Sequence, residues 1–273
     1  IDFSSISVQW SNGGNGAGVT YEARISTDGF ATINFTSATA GLSVLFGAGG
    51  AGSPLAVNTT YAFQVRTIGI SSTSVYTAIG TTATLAAIPT APALYQVNFT
   101  SISYSWGVNG NSSGTLYAAQ ISTDSFATVT FTSRTLNFAA TFFSLLSNAT
   151  YYMRVQAINS DQTASAFAIG PTTATLTALP VSAQPSNRLG PSITANWLAN
   201  GNSTATVYGV RISTDDFASV NLFISTGGTS AVFSGLQGGT TYGFQVQTVG
   251  ITTTTAFAVL PTTDTLLLAP GLA

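Results

Sequence analysis

The sequence predicts an all-β fold, with three β-sandwiches in tandem along 273 residues. Three observations predict it. One pattern occurs three times, with 96 and then 91 residues between matching Trp residues, a spacing that suits a domain burying its own core rather than a solenoid unit. Inside each copy the apolar residues alternate with period two, as in strands with one wet face. Clusters of Gly, Asn and Asp break these runs at short intervals, and no stretch carries a helical stripe.

The elements follow in a fixed order. Ile6-Ser7-Val8-Gln9-Trp10 returns as Ile102 to Trp106 and as Ile193 to Trp197. Eleven residues after each Trp stands a Tyr (Tyr21, Tyr117, Tyr208), which leads into Ile-Ser-Thr-Asp-x-Phe, ending at Phe30, Phe126 and Phe217. A second Tyr (Tyr61, Tyr151, Tyr242) opens another alternating run, and each copy closes on a Thr-rich stretch and a proline, Pro89, Pro180 or Pro270. Copy one carries extra residues before Tyr61, around the glycine-rich segment 47–53, and these read as a lengthened surface loop. About seven short strands per copy make a β-sandwich. With no Cys in the chain, packing alone holds each core.

The order Ile-x-Val-x-Trp, then Tyr, then Leu-x(5)-Tyr resembles the fibronectin type III domain, an immunoglobulin-like sandwich, over essentially the whole chain. The Leu is present each time, as Leu55, Leu145 and Leu236. The resemblance implies a Trp on strand B and a corner tyrosine before strand F, here Tyr61, Tyr151 and Tyr242. It also implies spacing, adhesion or scaffolding rather than catalysis. The Ser-Thr-Asp-x-Phe phrase and the Thr-rich linkers are similar to repeat arrays of large bacterial cell-surface proteins. The family's Arg-Gly-Asp tripeptide does not occur.

On this layout residues 1–88 form a sandwich lacking most of strand A, 89–179 and 180–269 form complete ones, and 270–273 are a tail in the position of the next strand A. Seventeen residues separate proline from Trp in copies two and three, whereas nine precede Trp10. A missing strand leaves a sticky edge, and the apolar stretch at the other end is its complement. Ile1, Phe3, Leu266, Leu267, Leu268 and Leu272 are therefore candidate self-association residues. Two arrangements follow. Chains associate head to tail by β-strand addition, or the chain is a stretch of a longer covalent array. The start at Ile1 without Met reads as a processed product or a segment.

Composition closes off most chemistry. Without His, Cys or Lys there is no usual zinc site, no Ser-His or Cys-His nucleophile, no Schiff base and no P-loop. Six Arg and a formal net charge of −2 do not neutralise a phosphate backbone, so nucleic acid is not an expected partner. No apolar run approaches the roughly 18 residues of a membrane span. No catalytic residue, cofactor or metal is expected. Asp28, Asp124 and Asp215 read as turn caps, because calcium wants six to eight converging oxygens. The adjacent Asp215 and Asp216 would face opposite sides of a strand, unlike a hydrolytic carboxylate pair.

Aromatics that repeat in phase are expected in the core. The unmatched Tyr152, Phe138, Phe142, Phe143, Phe223 and Phe233 are either contact residues or core filling. Arg24, Arg66, Arg154 and Arg211 fall at outward positions of strands C and F, as a solvated face or a docking stripe. Six Asn-x-Ser/Thr sequons, at Asn34, Asn58, Asn98, Asn111, Asn148 and Asn202, suit N-glycosylation of a secreted protein.

These features point to a structural protein of the extracellular space or cell surface. It would form a fibre, filament or stalk by head-to-tail association, with itself as partner. Charged residues are 5% of the chain, so little repulsion opposes close packing of identical subunits. The alternative is a carbohydrate-binding or spacer region of a secreted polysaccharide-degrading enzyme or adhesin, with a glycan or other surface ligand. That reading requires a planar cluster of exposed aromatics.

Overall fold

The computed structural model describes residues 1–269, so the expectation for Leu272 lies outside the described residues. Strands form where β-branched and aromatic residues alternate with Ser, Thr and Gln, side chains that fit a half-buried pleated surface. In sandwich one, β1 (Ser5–Gln9) pairs antiparallel with β4 (Ser43–Gly47). They face a sheet ordered β3 (Phe35–Thr39), β2 (Thr20–Ser26), β5 (Thr60–Ile68), β6 (Thr77–Ala83). Sandwich two has a third strand in its small sheet, β7 (Thr90–Val97) beside β8 (Ile102–Gly107) and β11 (Ala139–Phe142). Its large sheet runs β10 (Phe131–Thr135), β9 (Leu116–Ser122), β12 (Thr150–Ile158), and its last strand is split into β13 (Ala168–Ile169) and β14 (Thr173–Ala174). The split falls at Gly170-Pro171, whereas β21 runs on through Pro261 at the matching position.

Sandwich three repeats the plan. Here β15 (Val181–Ser182), β16 (Ser192–Leu198) and β19 (Ser230–Ser234) cover β18 (Leu222–Thr226), β17 (Val207–Ser213), β20 (Thr241–Val249) and β21 (Ala258–Asp264). This is the fibronectin type III-like arrangement, with β7 and β15 as strand A and β1, β8 and β16 as strand B. Among the described residues, sandwich one has no strand A beside β1.

The period-two reading places the core correctly. Ile6, Val8, Ile102, Tyr104, Trp106, Ile193, Ala195 and Trp197 are all buried, and each sandwich has its own apolar cluster. The corner tyrosines form as the resemblance implies. The N–H groups of Ala56, Leu146 and Gln237 donate to the hydroxyls of Tyr61, Tyr151 and Tyr242, at 3.0, 3.1 and 3.1 Å. Of the unmatched aromatics, Phe142 and Phe233 are core residues, Tyr152 is half-buried, and Phe138, Phe143 and Phe223 are exposed.

The glycine-rich segment of copy one is not a loose loop. It folds back on β4, with the Ala51 N–H donating to the Leu45 carbonyl at 2.8 Å and Ala51 packing on the core. Gly47 has φ +97, and a Cβ there would lie 2.1 Å from the Ser4 carbonyl oxygen, so only glycine fits.

Candidate functional site

The built polar features of the molecule are its two joints. The loop before β2, β9 or β17 and the loop after β5, β12 or β20 lie at one pole of each sandwich. The corner tyrosine and the end of β6, β14 or β21 lie at the other, so successive sandwiches meet pole to pole. At the first joint the Asn111 amide grips one linker residue. Its Nδ2 donates to the Ala87 carbonyl at 2.9 Å, and its Oδ1 accepts the Ala87 N–H at 2.8 Å. Asn202 grips Ala178 in the same way, at 2.8 and 2.9 Å. Asn109 and Asn200 donate to the next carbonyls, of Ile88 at 2.8 Å and Leu179 at 2.9 Å.

The preceding sandwich supplies the other half. Asn58 Nδ2 donates to Thr115 Oγ1 at 2.6 Å, and Ser112 Oγ donates to the Asn58 carbonyl at 2.5 Å. Asn148 with Thr206 and Ser203 repeats this at 3.1 and 2.8 Å. Asn58, Asn109, Asn148 and Asn200 have φ between 48 and 55°, a left-handed conformation that Asn tolerates. Asn58, Asn111, Asn148 and Asn202 are buried together with Thr115 and Thr206. A buried polar network with its members bonded specifies one geometry between neighbours.

That geometry corrects most of the glycosylation expectation. A glycan needs a free Nδ2 with space around it. In Asn58, Asn111, Asn148 and Asn202 that nitrogen is buried and donating across a joint. Asn34 is exposed, with its Oδ1 accepting the Thr27 N–H, and Asn98 is half-buried.

The candidate association residues are exposed but are not one surface. Ile1, Phe3, Leu266, Leu267 and Leu268 all reach solvent. Ile1 and Phe3, however, flank Asp2, whose carbonyl accepts the Leu85 N–H at 3.1 Å beside the first joint. They lie at the wrong pole of sandwich one to meet an incoming segment. The open pole is instead a cleft of about 430 Å³ lined by Trp10, Asn15, Tyr21, Val65, Thr67 and Ile79.

The arginines are occupied within their own sandwiches. The Arg24 guanidinium lies 3.6 Å from the Tyr76 ring centroid and 5.2 Å from that of Phe30. Arg154 sits between Phe126 and Phe167 at 4.1 and 4.0 Å, and Arg211 between Phe217 and Phe257 at 5.1 and 3.8 Å. Each donates through Nε to the Gln directly across the sheet, Gln64, Gln120 or Gln245, at 3.1, 2.8 and 2.9 Å. In sandwich two the pair is exchanged, with Gln on β9 and Arg on β12. Arg66 instead pairs with Glu22 at 2.6 Å.

One ring of each of these stacks comes from an Asp turn. Phe30, Phe126 and Phe217 have φ of 72, 67 and 65°. Their N–H groups donate to the hydroxyls of Ser26, Ser122 and Ser213 at 2.9 Å. Asp28 accepts from the N–H and hydroxyl of Thr32 and from Ser26, and these bonds lower its pKa to about 2. Asp124 and Asp215 are likewise lowered to about 2, first by the Ser122 and Ser213 hydroxyls and then by Thr128 and Ser219. The carboxylates cap turns, and no group of three or more acidic residues converges among the described residues.

No family model matches this sequence, and no curated protein matches it. Among solved structures, a two-domain fibronectin type III segment of chicken tenascin is similar, with 14% identity and a TM-score of 0.47. The likeness covers 65% of this chain and 99% of that one.

Proposed function

We propose that this is a structural protein of the extracellular space or cell surface. It builds a fibre, filament or stalk by head-to-tail association of its sandwiches, and it is not an enzyme. The supporting observation is the repeated joint. The same buried Asn–Thr–Ser network is used twice, with a linker too short and too fully bonded to swing freely. Sandwiches coupled in this way transmit load and orientation from one to the next. Half of the chain's few charges are spent internally, on Arg–aromatic stacks and turn caps, leaving little to repel an identical neighbour.

Carbohydrate binding has less support. Every aromatic pair within stacking reach among the described residues includes a buried core ring, so none offers a flat exposed platform. Negative-stain electron microscopy with sedimentation tests the reading. Filaments with an axial repeat of three sandwiches are expected, and a chain that stays a 27.8 kDa monomer at high concentration overturns it.

A further inference from the structure

We infer that the open pole of sandwich one is a preformed socket for the exit segment of sandwich three of a second copy, with Asn15 gripping the backbone at Leu268. The inference rests on the head-to-tail reading and names its contact.

Asn15 holds the position of Asn111 and Asn202, five residues after the Trp. Its Nδ2 already donates to the Asn12 carbonyl at 2.6 Å and to Thr67 Oγ1 at 3.3 Å. Asn202 Nδ2 makes the same two bonds, to the Ala199 carbonyl at 2.8 Å and Thr248 Oγ1 at 3.4 Å. What Asn15 lacks is the pair of bonds to a linker residue. The amide is set in advance and its ligand position is open, which reduces the ordering cost of binding. The apolar floor is open too. Trp10 is half-buried, whereas Trp106 and Trp197 are 5% and 2% exposed. In sandwich two the linker residue Ala86 belongs to the core cluster that contains Trp106.

The exit segment of sandwich three is held in the frame of the two linkers. Thr84, Thr175 and Thr265 are buried and donate to the carbonyls of Ala56, Leu146 and Gln237 at 2.7, 2.6 and 2.6 Å. The N–H of the next residue, Leu85, Leu176 or Leu266, is bonded to its own sandwich each time. Leu268 therefore stands where Ala87 and Ala178 stand, without an Asn amide to grip it.

The substitutions at the two poles match each other. Asn58 and Asn148 become Gly239, and their partners Thr115 and Thr206 become Val19. Ser112 and Ser203, which donate to those asparagines' carbonyls, become Gly16. The gripped residue grows from Ala87 and Ala178 to Leu268, the next one shrinks from Ile88 and Leu179 to Ala269, and Asn109 and Asn200, which bond that next residue's carbonyl, become Gly13. Both halves of the polar clasp are lost together, and the apolar segment Leu267-Leu268-Ala269 meets a less polar rim. Complementary loss on both sides favours this pairing over either pole meeting an internal one.

The chain has no cysteine, so engineered thiols report the contact cleanly. The double variant Asn15→Cys, Leu268→Cys, treated with a short bis-maleimide, is expected to give a ladder of covalent multimers. Leu268→Cys alone stops at dimers. In parallel, Asn15→Ala should raise the concentration needed for assembly about tenfold, the loss of roughly one net hydrogen-bond pair. The melting temperature of the unassembled chain should fall only slightly, because Asn15 is exposed and its present bonds stay within its own pole. Filaments that form without the ladder, or assembly indifferent to Asn15→Ala, overturn the socket and leave head-to-tail association standing. A chain that never assembles overturns both.

Discussion

Sandwiches one and three carry the same repeat, yet the Trp of strand B is half-buried in one and sealed in the other. The difference is not in the Trp or its Tyr partner, whose ring centroids lie 5.8 Å apart in one and 5.5 Å in the other. It lies in what arrives from the preceding copy. A linker gripped by Asn202 closes sandwich three, and the corresponding cleft of sandwich one is open. A repeat domain of this kind is thus completed by its neighbour along the chain, so the joint carries part of each sandwich's stability.

The largest expected effect tests that contrast at the core. Trp197→Ala should destabilise sandwich three by about 3–5 kcal/mol, whereas Trp10→Ala should cost less than half as much, since its ring leaves water only partly. Urea melts followed sandwich by sandwich would measure both, and equal losses would end the comparison. Next comes the grip itself. Asn202→Ala leaves the N–H of buried Ala178 without a partner, while its carbonyl keeps only the Thr248 hydroxyl, and should cost about 1–3 kcal/mol. Hydrogen exchange at Ala178 should rise with it.

The Arg–Gln pairs allow a subtler test. Arg154→Ala should cost about 0.5–2 kcal/mol through lost stacking on Phe126 and Phe167. The exchanged double variant Gln120→Arg, Arg154→Gln should recover most of that, because it recreates the arrangement of sandwiches one and three. A thermal melt of the double variant no better than the single would show that the two sides of the sheet are not equivalent.

The smallest effect is that of pH. Asp28, Asp124 and Asp215 have folded pKa values of about 2, below the ordinary 3.8. Their contribution is present above the unfolded value and is lost as pH falls through the folded one. The melting temperature should therefore be flat through neutral pH and fall between about pH 4 and 2, a little in every sandwich. Asp124→Asn should flatten that slope in sandwich two alone.

Much of the core was legible because alternation is a local property. Ile6, Val8, Trp106 and Trp197 announce their inward direction through their immediate neighbours, and the repeat makes each reading three times over. The Asp turns were legible for the same reason, since Ser26, Asp28 and Thr32 satisfy one another within seven residues. The joints were not. Asn58 and Asn111 read as glycosylation sequons because Asn-x-Ser/Thr is also what a buried Asn with hydroxyl partners looks like in one dimension. The signal that separates them was available in the repeat. Four of the six sequons fall at two fixed offsets, five after the Trp and three before the corner Tyr, and the Arg–Gln exchange between copies is visible in the same way.

By itself, the sequence determined the all-β class, the threefold repeat, the inward residues and the scarcity of charge, since period and composition act over a few residues at a time. Only the tertiary structure decided which polar groups meet. Asn58 and Thr115 are 57 residues apart, and Arg24 and Gln64 are 40 apart. Such pairs exist only once strands have taken their register and one sandwich has docked on the next. The open pole is likewise a tertiary fact. Asn15 is an ordinary loop asparagine until it is seen holding the same bonds as Asn202, with the place of Ala178 left free.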